Sequence, residues 1–110
     1  MKRLPRGRSQ TEAWRRGTFG DTAGFGEIVF LCTKSDSTFD VLTLAKPTSF
    51  DGKVVVDISN PLDFSKAVPP SLIPQFTHTN SLGEEMQEML PRAHVVKTLN
   101  IVTCEVMVNP

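Results

Sequence analysis

A chain of 110 residues with 12 Lys+Arg, 12 Asp+Glu and 39% hydrophobic residues has the composition of one folded unit, with room for a single core and none for two. No apolar run nears the roughly 20 residues that a membrane helix needs. The start, "MKRLPRGRSQTEAWRRG", has no apolar stretch of a secretory signal, although its arginines would suit a transit peptide.

The neutral total hides an asymmetry. Residues 1–16 hold Lys2, Arg3, Arg6, Arg8, Arg15 and Arg16 against Glu12 alone, a net +5 that the rest of the chain offsets. Six charges with one Trp and no aromatic interleaving read as a solvated terminus, not as a nucleic-acid site. Within this basic segment "SQTEAWRRG" predicts a short helix ending at Gly17, with Ser9 or Thr11 near its cap and Arg15–Arg16 in its last turn. "GTFGDTAGFG" (17–26) reads as a Gly-rich linker with one helical turn starting at Asp21.

"EIVFLCT" (27–33) is a continuous apolar run of strand length and predicts a strand buried on both faces. "SDSTFDVLTLAK" (35–46) predicts a helix capped by Ser35 or Asp36, with Phe39, Leu42 and Ala45 on one face and Pro47 as its stop. "KVVVDIS" (53–59) is a second buried strand. Residues 60–80 form a long loop that holds four of the eight prolines; loops of that length are usually functional or disordered. "SLGEEMQEML" (81–90) opens with Ser81 and Glu84 at capping-box spacing and carries an apolar stripe of Leu82, Met86, Met89 and Leu90. "AHVVKTLN" (93–100) is a third strand, and "VTCEVMVNP" (102–110) begins a further helix or loop.

Strand, helix, strand, loop-helix, strand is the grammar of a parallel sheet with right-handed crossovers. Ligands bind such sheets beyond the carboxyl ends of the strands. Those ends read Cys32-Thr33-Lys34-Ser35, Ser59-Asn60-Pro61 and Thr98-Leu99-Asn100, small and polar at each exit. Asn60 and Asn100 each offer a donor and an acceptor, which suits a carboxamide; their alternative role is strand-end capping. Asp57, in mid-strand, reads as a satisfied polar residue tying neighbouring loops, because a buried carboxylate without partners is costly. His78 and His94 read as bystanders. Cys32 and Cys104 lie 72 residues apart with no C-x-x-C and no His partner, a reduced intracellular pair without a metal site.

Taken together, "GKVVVDISNPLDFS", "TNSLGEE", "AHVVKTLN" and "VMVNP" resemble the NADP-dependent reductases related to the NADP:coenzyme F420 oxidoreductases, a Rossmann-fold family. The resemblance runs from about Trp14 to Pro110 and rests most on the joint occurrence of D-x-S-N-P and K-T-L-N. It implies a partial Rossmann-like, three-layer α/β/α fold with a mostly parallel sheet over 17–110, following the basic segment 1–16. The implied activity is hydride transfer between NADPH and a second carrier, coenzyme F420 or a flavin, in the cytoplasm. The implied cofactor contacts are Thr33, Lys34 and Ser35 along the ribose and pyrophosphate, Asn60 and Pro61 near the nicotinamide, and Asn100, Ile101, Val102, Thr103 and Cys104 where the two rings meet. No catalytic side chain is implied, since the cofactor carries the chemistry.

The sequence departs from this family at its phosphate grip. A strand followed by G-x-G-x-x-G is expected there, and "GFGEIV" (24–29) has Val29 at the third Gly position and precedes a strand instead of following one. Arg6 or Arg8 of "RGRS" is a candidate remnant of the 2′-phosphate pocket. The expectation is therefore a chain truncated at both ends relative to the family, with weakened NADP binding. An interaction module, pairing as a homo-oligomer through an open sheet edge, and a truncated gene product are the alternatives.

Overall fold

The computed structural model describes residues 16–66, 68–76 and 80–110, so the helix expected over 9–17 lies largely outside the described residues. The first element, α1 (Phe19–Phe25), replaces the expected Gly-rich linker with two full turns. A reciprocal cap starts it: the Asp21 amide donates to Thr18 Oγ1 at 3.1 Å, and the Thr18 amide donates to Asp21 Oδ2 at 2.9 Å. Its two internal glycines weaken the helix, and burial of Ala23 against the core offsets them.

Next come β1 (Ile28–Leu31), α2 (Ser35–Ala45), a 3₁₀ turn at Pro47–Phe50 and β2 (Val54–Asp57). Neither Ser35 nor Asp36 caps α2; Lys34 occupies the cap position without a side-chain capping bond, and Ser35 is already helical and buried. Leu42 and Ala45 are buried as expected and Phe39 packs against them, joined by Thr38, which the apolar pattern had not marked. The long loop after β2 is not featureless. Within it β3 (Leu62–Asp63) pairs antiparallel with β4 (Ser71–Leu72), and a 3₁₀ turn follows at Pro74–Phe76. Then α3 (Leu82–Met89) starts at the expected Ser81–Glu84 capping box. The chain continues through β5 (His94–Lys97) to α4 (Cys104–Val108), whose residues are exposed.

The main sheet has the order β1-β2-β5 and is parallel throughout, with Ile28, Val54 and His94 in register at one end and Leu31, Asp57 and Lys97 at the other. Both crossovers run in the same direction across the sheet. Right-handed connections therefore place α2 and α3 on the same face. The core agrees: Val29, Leu31 and Val55, which share a face, pack with Ala23 of α1, Leu42 and Ala45 of α2, and Leu82 and Met86 of α3.

The opposite face is open among the described residues. Ile28 is 58% exposed, Phe30 61% and Val96 44%, so β1 is not buried on both faces as its apolar run implied. An apolar run reports what a strand can bury, not what lies against it.

Two polar side chains stitch the layers together. The Lys53 ammonium donates to the carbonyls of Ala23 and Gly24 and so closes the end of α1 against the start of β2. Gln87 of α3 donates to the carbonyls of Leu90 and Ala93, both at 2.9 Å, and its Oε1 accepts the Val95 amide at 3.1 Å.

Candidate functional site

Because the three strands are parallel and in register, their exits open on one edge of the sheet. That places Thr33–Ser35, Asn60–Pro61 and Asn100 along a common rim, at the carboxyl ends where such sheets bind ligands. The β2 and β5 exits meet directly: Asn60 Nδ2 donates to the Asn100 carbonyl at 3.0 Å. This bond leaves Asn60 Oδ1 and the Asn100 side-chain amide as the polar groups of a half-buried corner. Pro61 is buried, and its carbonyl accepts the Ile73 amide at 2.8 Å, which pins the start of the long loop.

The β1 exit is a separate local network. Thr33 Oγ1 lies 2.9 Å from Thr38 Oγ1, and Thr38 Oγ1 donates to the Lys34 carbonyl at 3.3 Å. Lys34 pairs with Asp36 at 2.7 Å, and the Lys34 ammonium holds the Asp36 carboxyl below its ordinary range. Both side chains are largely in solvent, so the pair adds little stability. Among the described residues no hydrogen bond joins Thr33, Lys34 or Ser35 to Asn60 or Asn100.

After β5 the chain turns, with the Val102 amide donating to the Leu99 carbonyl at 3.3 Å. Thr103 then takes the cap position of α4 without a side-chain bond to the helix amides, and Cys104 begins the helix. Both are exposed, and Cys32 and Cys104 are free thiols. His94 is exposed at the start of β5, on the far end of the strand from the rim, and His78 lies outside the described residues. Among the described residues no group of three or more His, Cys, Asp or Glu could hold a metal ion, and no helix is long and apolar enough to cross a membrane.

Four residues beneath the rim were not singled out as site residues by the sequence. Lys97 Nζ donates to Asp57 Oδ2 at 2.8 Å and also to the Ser59 carbonyl, while the Ser59 amide donates to Asp57 Oδ1 at 2.9 Å. Leu99 stands between Lys97 and Asn100 with φ at +61°. The signal for the first pair was present. Strand periodicity puts Asp57 and Lys97 on the core side of adjacent strands, where opposite charges need each other.

A groove borders the outer edge of β1. It is a mostly apolar cavity of about 260 Å³, lined by Phe19 and Ala23 of α1, Val29 and Phe30 of β1, and Val41 and Ala45 of α2, among others. Residues of both faces of β1 line it, as expected beside a strand that pairs only with β2 among the described residues.

No family model matches the chain, and no curated protein matches it significantly. A solved structure does. The crystal structure of a protein from Arthrobacter sp. FB24, described as a candidate F420-dependent NADP-reductase, superposes with a TM-score of 0.75 at 46% identity. The match covers 84% of this chain and 40% of that one, so the chain spans less than half the length of this relative. The resemblance carried by D-x-S-N-P and K-T-L-N thus holds in three dimensions, and the α/β fold with a parallel sheet is borne out with it.

Proposed function

Starting from this likeness to a candidate F420-dependent NADP-reductase, we propose that the rim over β2 and β5 is the nicotinamide end of an NADP(H) site. Residues 17–110 then form part of a Rossmann-like domain for hydride transfer between NADPH and a second carrier of the deazaflavin or flavin class. The observation that carries this reading is the Asn60–Asn100 bond, which sets two carboxamide-bearing residues side by side at the carboxyl edge of a parallel sheet. A nicotinamide carboxamide needs one donor and one acceptor in that place, and such side chains supply both.

The cofactor supplies the hydride chemistry when bound, and the protein's task is to position it and exclude water. In this reading Asn60 and Asn100 orient the carboxamide, and Pro61 fixes the turn beneath it. Thr33, Lys34 and Ser35 follow the ribose and pyrophosphate, and Val102, Thr103 and Cys104 border the second ring. The phosphate end fits less well. The connection from β1 into α2 is Cys32-Thr33-Lys34, without a glycine that would let the backbone approach a pyrophosphate. Weak binding follows, governed by the nicotinamide end. The free, exposed thiols support a reducing compartment, the cytoplasm.

Titrating the chain with NADPH and following nicotinamide fluorescence tests the proposal. A saturable change at or below about millimolar cofactor, the range of weak binding, is the expected result. No change at that concentration would remove the rim as a cofactor site.

A second reading is favoured by the groove beside β1: a homo-oligomer that pairs through this strand edge. Light scattering separates the two, because a strictly monomeric chain that binds NADPH excludes the second.

A further inference from the structure

Asp57 is fully buried at the end of β2, yet both its carboxylate oxygens are engaged, one by the Ser59 amide and one by the Lys97 ammonium. Lys97 stands opposite Asp57 in register, and its side chain is 27% exposed. The ammonium also donates to the Ser59 carbonyl, one residue before Asn60. A backbone bond from the Thr98 amide to the Asp57 carbonyl, at 3.1 Å, closes the same junction. Four links therefore converge on the two strand exits just below the Asn60–Asn100 bond.

Leu99 gives an independent reason to expect such bracing. Its φ of +61° is the left-handed region, unusual for a residue with a side chain. A residue held there persists only where its surroundings over-determine it. Leu99 is 40% exposed, so its own packing does not supply the whole constraint. The residues flanking it do: Lys97 is anchored to β2 through Asp57 and Ser59, Thr98 through the Asp57 carbonyl, and Asn100 through Asn60.

We propose that Lys97 is a positioning residue that latches the β2 exit to the β5 exit, so that the Asn60 side chain meets the Asn100 carbonyl before any ligand arrives. Lys97 acts through Ser59 and Asn60 and does not itself touch the ligand. The latch is a statement about this chain's own geometry; its functional weight rests on the reading of the rim as a nicotinamide site. Ser59 contributes through its backbone, since its buried Oγ has no partner among the described residues.

The test compares the unaltered chain with Asp57→Asn/Lys97→Met, Lys97→Arg and Ser59→Ala. The double variant removes both charges together and keeps an acceptor for the Ser59 amide, which leaves no lone buried charge. In the unaltered chain, NMR should show the Asn60 side-chain amide as a resolved signal apart from the solvated amides. The double variant should collapse that signal into the solvated set while its core methyl signals stay in place. Lys97→Arg should recover it in part, and Ser59→Ala should leave it untouched. A resolved Asn60 signal that survives in the double variant would overturn the latch.

If the double variant does not fold, the unaltered chain decides. A through-bond coupling between the Lys97 ammonium and the Ser59 carbonyl is expected, and its absence overturns the proposal. NADPH affinity is read in parallel, with a loss of about tenfold expected in the double variant. Unchanged affinity there would sink the latch's functional role. A chain that binds no NADPH in any form sinks the cofactor reading, while the Asn60 signal still decides the latch.

Discussion

Asp57 and Lys97 illustrate how one residue's cost becomes another's constraint. Removing only the cation, by Lys97→Met, leaves a carboxylate with no exposed surface and no counter-charge. Such losses cost about 3–5 kcal/mol, a large share of the stability of a small domain. Urea denaturation of Lys97→Met should therefore show a midpoint far below that of the double neutral variant. Asn60 is the opposite case. It is half-buried at the rim and holds Asn100 by one bond. Asn60→Ala should lose about 1 kcal/mol of stability and, if the rim holds nicotinamide, about tenfold in NADPH affinity, which calorimetry at matched protein concentration would read.

At the scale of elements, the capping boxes of α1 and α3 respond to acid in a defined direction. The Thr18 amide and hydroxyl hold the Asp21 carboxyl below its ordinary 3.8, and the Ser81 amide and hydroxyl hold Glu84 below 4.5. Depressed carboxyls stabilise the folded chain above their ordinary values, and that contribution is lost as pH falls through the lower folded values. The melting temperature should thus decline below about pH 4.5, and Ser81→Ala, about 1 kcal/mol less stable at neutral pH, should show a shallower decline. These two helices also show what the sequence made legible. Ser81 and Glu84 sit three apart before an apolar stripe, and α3 was plain. Thr18 and Asp21 have the same spacing, but Gly17, Gly20, Gly24 and Gly26 masked it, because glycine's propensity speaks only for the isolated chain and not for Ala23 in the core. Asn60, Pro61 and Asn100 were legible because strand exits are punctuated by turn-forming residues. The Asp57–Lys97 pairing was half-legible in strand periodicity, but the Lys97 contact with the Ser59 carbonyl was not, since it depends on which strands become neighbours.

For the whole molecule, the one-sided core has a solution signature. Among the described residues Phe30 and Ile28 stand on an uncovered face of β1, and apolar patches of this kind bind hydrophobic dyes or neighbouring chains. Phe30→Ser should lower dye fluorescence and self-association while changing stability by less than about 1 kcal/mol; Leu42→Ala, in the sealed core, should cost about 2–5 kcal/mol. The single direction in which the strands are laid down also sets an order of assembly. Val54 meets Ile28 across 26 positions and His94 across 40, so the β1–β2 closure is the shorter of the two. A chain emerging from the ribosome can complete that first closure, helix α2 included, before β5 has been synthesised. The rim is then the last part of the sheet to appear, because Asn100 reaches Asn60 only when β5 docks. Ligand competence would mark the end of folding and not any earlier stage.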